Sequence, residues 1–105
     1  MTIYVVYMLY CDNNSYYTGD TNNLARRYKA HLNGKCKYTR SFKPLKIAYS
    51  WFIKGPKGDA MRVERYIKSL SRQKKEALLL APKEIQTHFS DIKFDINGTY
   101  PGTSS

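Results

Sequence analysis

Four side chains in the first 64 residues have the types needed to bind a cation or an anion and to move a proton: Tyr7, Tyr17, Arg27 and Glu64. A phenol donates or accepts a hydrogen bond, a guanidinium holds an anion through paired N–H groups, and a carboxylate ligates a cation. Each residue also has an ordinary interpretation when taken alone, because tyrosines pack in sheets and arginines cover surfaces. The elements that carry the four residues must decide between these interpretations.

Glu64 occupies an unusual place on its predicted helix. It lies one helical step from Ala60 and Ile67, at the edge of the apolar stripe, so partial burial is expected. It is also the only acid between positions 59 and 76. A carboxylate in such a place either coordinates a ligand or pairs with a base such as Arg65 or Lys68.

The tyrosines lie on two segments that are predicted to form a hairpin. Residues 3–10, IYVVYMLY, are apolar on both faces, which predicts a central strand covered on both sides. The turn sequence Asp12-Asn13-Asn14 separates it from a second strand-like run over residues 15–19. Tyr7 therefore falls in the middle of the first strand and Tyr17 in the second.

Arg27 lies on a predicted helix over about residues 22–33. The polar residues at 21–23 are good N-caps, and Gly34 is a plausible C-cap. Because Arg27 and His31 are four residues apart, they share one stripe of this helix. His31 thereby becomes a fifth candidate site residue.

The remaining elements complete a small domain. A strand is predicted over residues 44–53, where large apolar residues at odd positions give one strongly apolar face. Asp59 is predicted to cap the helix that carries Glu64, and a shorter helix follows over about residues 72–80. Alternation over residues 92–96 allows a short final strand.

The order β-β-α-β-α-α predicts an α/β domain of the α+β type, with a three-stranded, mostly antiparallel sheet flanked by helices. The 105 residues fit one compact domain with a single core. We assign this domain to residues 1–82. We interpret residues 83–105 as a partly flexible C-terminal extension, because the hydrophobic pattern fades there.

The net charge of +10 is concentrated in one part of the chain. No acidic residue occurs from Thr21 to Gly58, whereas that span holds ten lysines and arginines. Such a span is typical of a surface that binds a polyanion, because each neutralised phosphate releases a counterion. A basic surface that only keeps the protein soluble is the alternative. The cations predicted to contact phosphates are Arg26, Lys29, Lys35, Lys37, Arg40 and Lys43.

Two further patterns concern the cellular setting. The apolar run at residues 3–10 is too short for a signal peptide or a membrane span, so we expect a cytoplasmic protein without a membrane partner. Cys11 and Cys36, the only cysteines, do not make a disulfide framework and fit a reduced compartment, although a single bridge between them stays open. With two scattered histidines, they show no paired spacing for zinc.

The candidate residues occur in an order that resembles the GIY-YIG nuclease superfamily. The two halves of the name motif appear as Val5-Val6-Tyr7 and Tyr17-Thr18-Gly19. The stretches TNNLARRYKAHLNGK, KYTRSFKP and AMRVERYIKSLSRQKKEAL look like the small stand-alone members and the structure-specific repair type. The resemblance covers residues 3–80. A Tyr-x-Gly triplet alone is common, but all these pieces in this order are specific.

The resemblance implies a DNA endonuclease in which these residues meet over one face of the sheet. Glu64 would be the sole protein ligand of a divalent cation, Mg²⁺ or Mn²⁺. Tyr17 would act as, or hold, the general base that activates water, and Tyr7 would bind the scissile phosphate or that water. Arg27 would steady the phosphate, and His31 falls where relatives carry a residue that assists the second tyrosine.

The chemistry of these residue types agrees with the implied roles. Hydrolysis of a phosphodiester requires negative charge on the phosphate to be neutralised, which a cation and a guanidinium both do. Mg²⁺ binds few protein ligands and keeps several waters, so one carboxylate suffices. A phenol has a pKa of about 10, so Tyr17 would need nearby positive charge to act as a base.

Two features depart from the family pattern and leave a second function open. Asp20 follows Gly19 where an apolar or basic residue is expected, so it would either bind metal or weaken DNA binding. The asparagine that many relatives carry after the glutamate is missing between Glu64 and Leu80. The second function is a non-catalytic module that binds DNA or RNA on the same fold. No base-reading element is recognisable, so specificity for structured or damaged DNA would come from its shape or from a protein partner.

Overall fold

The computed structural model describes residues 3–35 and 42–95 and shows a three-stranded antiparallel sheet flanked by helices. In chain order the elements are β1 (Ile3–Cys11), β2 (Tyr16–Thr21), α1 (Leu24–Leu32), β3 (Pro44–Lys54), α2 (Lys57–Ser69), α3 (Arg72–Leu80) and α4 (Glu84–His88). The predicted fold class and the order β-β-α-β-α-α are confirmed. The short helix α4 is an addition that the sequence pattern did not predict.

Strand β1 lies in the middle of the sheet, between β2 and β3. Its central residues, Val5 to Leu9, are at most 1% exposed, as the continuous apolar run predicts. Successive side chains point to opposite faces, so Val6 and Met8 join one apolar cluster while Tyr7 joins another. The sheet therefore separates two apolar clusters.

The helices cover these two clusters from opposite sides. Leu24 of α1 is buried in the cluster that contains Tyr7. The buried stripe of α2 packs instead against Val6 and Met8 in the other cluster, and consists of Ala60, Val63 and Ile67. Burial of such a stripe supplies most of a helix's stability in a protein. It fixes α2, and with it Glu64, on the side of the sheet opposite Tyr7.

Helix α1 begins two residues later than predicted. Asn23 is its N-cap, because its side-chain oxygen accepts the N–H of Arg26 at 3.1 Å. Gly34 follows the helix with a φ of 71°, in the left-handed region that favours glycine. These two ends hold the nine residues that carry Arg27 and His31.

Strand β3 contains a β-bulge that its sequence pattern did not predict. Met8 pairs with Tyr49, whereas the next residue of β1, Leu9, pairs with Ile47. Ala48 is therefore an extra residue on β3 without its own partner on β1.

The bulge makes the prediction of a single apolar face on β3 wrong. Trp51 and Ile53 pack in the cluster that α2 covers, and Ala48 joins them although its number is even. Ile47 packs in the opposite cluster together with Phe52. The inserted residue reverses the alternation, so odd-numbered residues on the two sides of the bulge face different clusters.

The predicted capping role of Asp59 is also wrong. Helix α2 begins at Lys57, and Pro56 takes the N-cap position without a side-chain hydrogen bond. Asp59 lies in the first turn, where its negative charge interacts favourably with the helix N-terminus. Its carboxylate also forms an ion pair with Arg62 at 3.7 Å.

The segment after α3 packs against the sheet. Its residues Ile85, Phe89 and Ile92 are buried in the cluster that α2 covers. In place of the predicted strand over residues 92–96, the described part shows one isolated bridge, between Phe94 and Ile53. Residues 96–105 lie outside the described ranges, and the domain boundary after residue 82 stays a prediction.

In residues 3–35 and 42–95, no helix combines the length and the apolar character that crossing a bilayer requires. Cys11 is a buried free thiol. Cys36 lies outside the described residues.

Candidate active site

Two tyrosines and a histidine form an aromatic cluster on the α1 side of the sheet. Tyr7 on β1 is buried, and its hydroxyl oxygen lies 2.9 Å from Nε2 of His31 on α1. The ring of Tyr17 on β2 lies 5.0 Å from the His31 ring and 6.3 Å from the Tyr7 ring, between centroids. Three separate elements therefore bring these side chains into contact, in the tilted and edge-on arrangements that aromatic rings favour.

Gly19 makes this close packing possible. It pairs with Tyr7 across the two strands. A methyl group on Gly19 would lie 2.6 Å from the Tyr7 hydroxyl oxygen and 3.2 Å from a ring carbon of Tyr17. The absent side chain leaves the room in which the Tyr7 hydroxyl reaches His31.

His31 is neutral at neutral pH. Burial of its ring, which is 1% exposed, and the nearby charge of Arg27 lower its pKa from 6.5 to about 4. A neutral imidazole has one donor and one acceptor nitrogen. Nε2 therefore accepts the Tyr7 hydroxyl in one tautomer and donates to its oxygen in the other. In either tautomer His31 fixes the orientation of the Tyr7 phenol.

Glu64 is partly buried, as predicted, and forms an ion pair. Its side chain is 16% exposed, and Oε2 lies 2.7 Å from Nζ of Lys68, one helical turn later. Burial raises the pKa of the Glu64 carboxyl, a hydrogen bond with Asp20 raises it further, and Lys68 lowers it. The negative charge at Glu64 is thus only partly compensated by Lys68.

Asp20 brings a second carboxyl group to Glu64. It pairs with Val6 across the strands, so its side chain points to the side of the sheet that α2 covers. Its Oδ2 atom is buried, and no donor within the described residues reaches it. Lys68 interacts with both carboxyls. Its pKa is raised mainly by the hydrogen bond with Glu64 and to a smaller extent by the charge of Asp20.

The phenols and the carboxyls lie on opposite sides of the sheet, and only Tyr17 among the phenols shows an interaction with the carboxyl side in the described structure. Tyr17 and Asp20 are three residues apart on β2, so strand alternation directs them to opposite faces. Since β2 is an edge strand, side chains from both faces can approach around it. A Coulomb interaction with Tyr17 is among the smaller causes of the raised pKa of Lys68, so this phenol lies within electrostatic reach of Lys68.

We call this region the β2 edge site. It consists of Tyr7, Tyr17, Asp20, Arg27, His31, Glu64 and Lys68. Tyr7, Tyr17 and His31 lie in contact on one side of the sheet, with Arg27 near His31, whereas Glu64 is on the helix that covers the other side. The expectation that these residues meet over one face is therefore wrong, and their catalytic roles stay predictions.

The carboxyls of this site fit a hydrated divalent cation. Mg²⁺ binds through one or two carboxylates and keeps several waters. Asp20 and Glu64 supply two carboxylates, and the buried Oδ2 of Asp20 has no donor from the described part of the chain. Across that same part, no three His, Cys, Asp or Glu side chains gather in a metal-binding arrangement.

Most of the predicted phosphate-contacting cations lie on the surface. Arg26 and Lys29 are exposed on α1, beside Arg27, and Lys35 and Lys43 are exposed after α1 and before β3, respectively. Lys37 and Arg40 lie outside the described residues. Contact of these side chains with phosphate stays a prediction.

Two members of the β2 edge site were not among the predicted site residues. Lys68 had an available signal, because an acid and a base four residues apart on a helix meet on its surface. Asp20 was noticed only as a departure from the family pattern. Its contact with Glu64 depends on the packing of α2 beside β2, which spacing along the chain does not reveal.

Comparison with known proteins identifies the family. Residues 3–77 match the model of the GIY-YIG catalytic domain. A UPF0213 protein of Clostridium perfringens is 48% identical over 75 residues, which cover 70% of this chain and 80% of that protein. A UPF0213 protein of Limosilactobacillus reuteri is 45% identical over 80 residues, covering 73% and 82%. The solution NMR structure of a UPF0213 protein from Bacillus halodurans has a TM-score of 0.51 and 40% identity, covering 84% of this chain and 97% of that one.

The matched span is more than two-thirds of the chain and includes every residue of the β2 edge site. Proteins with this domain are generally endonucleases that act on nucleic acid and typically use divalent metals, while the name UPF0213 states no activity. The chain belongs to the GIY-YIG family of nucleases.

Proposed function

We propose that this protein is a divalent-metal-dependent endonuclease that hydrolyses phosphodiester bonds in DNA, with structured or damaged DNA as its substrate class. The observation that carries the proposal is the β2 edge site. There a tyrosine–histidine cluster with Arg27 near His31 lies on one side of an edge strand and a carboxyl pair lies on the other, with Tyr17 in electrostatic reach of Lys68.

The aromatic cluster supplies groups that can hold and move a proton. His31, at 2.9 Å from the Tyr7 hydroxyl, keeps this phenol in one orientation, in which it can bind a phosphate oxygen or a water. Tyr17 contacts the His31 ring and lies within electrostatic reach of Lys68, whose positive charge favours an ionised phenol. Tyr17 is therefore the side chain suited to accept a proton from an attacking water.

Two groups could neutralise the negative charge on the phosphate: the Arg27 guanidinium and a bound divalent cation. Arg27, exposed one turn before His31, can hold phosphate oxygens through paired N–H groups as their charge grows. Glu64, with Asp20 beside it, would hold the divalent cation. When bound, such a cation acts as a Lewis acid and lowers the pKa of a coordinated water.

The basic span supports a polyanionic substrate. Arg26 and Lys29 are exposed on the helix that carries Arg27, so the predicted phosphate contacts adjoin the β2 edge site. Contacts of this kind follow the phosphate backbone and carry no base sequence information. DNA shape would then provide the selectivity.

A cleavage assay tests the proposal. Purified protein is incubated with duplex, flap and junction DNA in Mg²⁺ or Mn²⁺. We expect cutting by the wild type and a loss of about 100-fold or more in Glu64→Gln and Tyr17→Phe, because each removes a group needed for charge neutralisation or proton transfer. Glu76→Gln is the matched control, since it removes a carboxylate from an exposed position on α3. Equal rates for the wild type and Glu64→Gln would contradict the proposal.

The ion pair between Glu64 and Lys68 favours a second candidate function, a non-catalytic nucleic-acid-binding module. An ammonium at 2.7 Å occupies an oxygen that a cation would need. This function predicts that the wild type binds DNA or RNA but cuts neither with any divalent cation. It also predicts that Lys68→Gln, which frees the Glu64 oxygen, produces no cleavage.

A further inference from the structure

Within the proposed metal-dependent function, on which this inference rests, we propose that Asp20 is a second ligand of the divalent cation. The cation site is then a carboxyl pair, with Asp20 contributed by strand β2 and Glu64 by helix α2. This pair goes beyond the single glutamate that the family resemblance implies.

The first support is an unsatisfied buried oxygen. Oδ2 of Asp20 is removed from solvent, and no donor among the described residues reaches it. A buried carboxylate oxygen without a donor or a cation is costly. The hydroxyl oxygen of Thr18 is also buried and also has no hydrogen-bond partner among the described residues, and Thr18 is 3% exposed. Thr18 lies two residues before Asp20 and therefore on the same face of β2, towards α2.

The second support is the balance of charge. Asp20 and Glu64 interact closely enough for Asp20 to raise the pKa of the Glu64 carboxyl, and two neighbouring carboxylates repel each other. Lys68 brings its positive charge to both of them, and its side chain is 52% exposed. A divalent cation would supply the further positive charge that balances both carboxylates.

The third support is the rigidity of the two elements. Asp20 lies in the paired part of β2, opposite Val6. Glu64 lies on α2 next to Val63, which is fully buried. Ligands on such packed elements are held in place before a cation arrives, which favours binding.

Titration with Mn²⁺, followed by the electron paramagnetic resonance signal of the free ion, tests this inference without measuring cleavage. We expect the full-length wild type to bind Mn²⁺ and Asp20→Asn to bind it at least about tenfold more weakly, a loss of the size seen when a partner is removed from a metal site. Asp91→Asn is the matched control, because Asp91 is exposed and pairs with Arg62 away from the site. It should bind Mn²⁺ as the wild type does.

Thermal unfolding provides a second measurement. Mn²⁺ should raise the melting temperature of the wild type and of Asp91→Asn, and much less that of Asp20→Asn. In EDTA, Asp20→Asn should melt at or above the wild-type temperature, because an amide removes the repulsion with Glu64. If Asp20→Asn does not fold, Asp20→Ser replaces it as the variant without a carboxylate, and Asp20→Glu should restore binding.

The outcomes separate the two proposals. Equal Mn²⁺ affinity in Asp20→Asn and the wild type would overturn the role of Asp20 and leave the proposed endonuclease intact. A wild type that binds no Mn²⁺ would overturn both proposals. Weaker binding in Asp20→Asn, combined with a wild type that cuts no DNA, would support the cation site and refute the hydrolysis.

Discussion

His31 owes its chemistry to burial. The spacing of the sequence placed it on the stripe of Arg27, but spacing could not reveal that its ring would be enclosed by Tyr7 and Tyr17. Of the two histidines, His31 is buried and His88 exposed. The low proton affinity of His31 therefore follows from its enclosure and not from its residue type.

We expect the free energy of unfolding to fall as the pH is lowered from about 6.5 to about 4. The folded state holds the pKa of His31 at about 4, whereas the unfolded chain has its ordinary value of 6.5. Between these values the unfolded state binds more protons, so acidification favours unfolding, by about 3 kcal/mol at most. Above pH 6.5 His31 is neutral in both states, so this loss of stability is absent there and grows as the pH falls towards about 4. Urea denaturation over this pH range measures it.

The control for this pH dependence is the exposed histidine. Wild type and His88→Gln should lose stability with the same slope over the window, whereas His31→Gln should have a flatter profile. An unchanged slope in His31→Gln would show that other groups cause the acid sensitivity.

Which site residues could be predicted follows from the kind of signal each one leaves. Tyr7, Tyr17 and Glu64 were selected because their order and spacing along the chain match a family pattern. The contact of Asp20 with Glu64 leaves no such trace, since strand β2 and helix α2 are more than 35 residues apart in sequence. Only the packing of α2 beside the edge strand brings the two carboxyls together.

At the scale of elements, the pairing of β1 with β2 depends on one missing side chain. Gly19 pairs with Tyr7, and the Tyr7 hydroxyl fills the space beside it. Tyr7 cannot easily move aside, because it is buried and held by His31. Strand pairing and the orientation of a candidate catalytic phenol are therefore set by the same contact.

We expect Gly19→Ala to lower the free energy of unfolding by about 1–3 kcal/mol, because the new methyl group overpacks the cluster. The cleavage rate should fall even under conditions in which the variant stays folded, since Tyr7 must leave its position near His31. Gly58→Ala is the matched control: a methyl group there meets no atom within 4 Å, and α2 should gain up to about 1 kcal/mol. Chemical denaturation and cleavage rates of both variants measure these effects. Wild-type activity in Gly19→Ala would refute the positional role of Tyr7.

The element order was predictable because each element carries its own period of apolar residues. The bulge at Ala48 was not predictable, since the residue types of β3 are those of an ordinary strand. The bulge nevertheless reverses which face of the sheet the odd-numbered side chains point to. The start of α2 at Lys57 was missed because Asp59 has the residue type of an N-cap but lies three positions after the actual N-cap, Pro56. Helix α4, with five residues, is too short to show a period.

At the scale of the whole molecule, size and charge define the contact with a nucleic acid. The protein measures 36 × 31 × 25 Å, so its longest dimension matches about one turn of duplex DNA, roughly 34 Å. The ten cations between Thr21 and Gly58 account for the whole net charge. Affinity should therefore come chiefly from phosphate contacts.

We expect DNA binding to weaken steeply with salt, with a linear dependence of log K on log salt concentration. Binding is measured with Glu64→Gln, which should not cut the DNA. Adding Arg26→Gln and Lys29→Gln should lower the magnitude of the slope by about two, because each cation contacts one phosphate. The control adds Lys83→Gln and Lys93→Gln, which remove two exposed cations outside the basic span. Equal slopes in the two sets would contradict the assignment of Arg26 and Lys29.

The turn between β1 and β2 has a role that its own residues do not suggest. Asn14, with a φ of 67°, helps to close it, and its length fixes which residues of the two strands lie opposite each other. One residue gained or lost there would slide β2 by a single position and send every side chain to the other face. Tyr17 would then point at α2 and Asp20 at α1, so the phenol and the carboxylate would trade places. Such a protein could keep its sheet and still be chemically inert, which makes the length of this turn a constraint on chemistry as much as on folding.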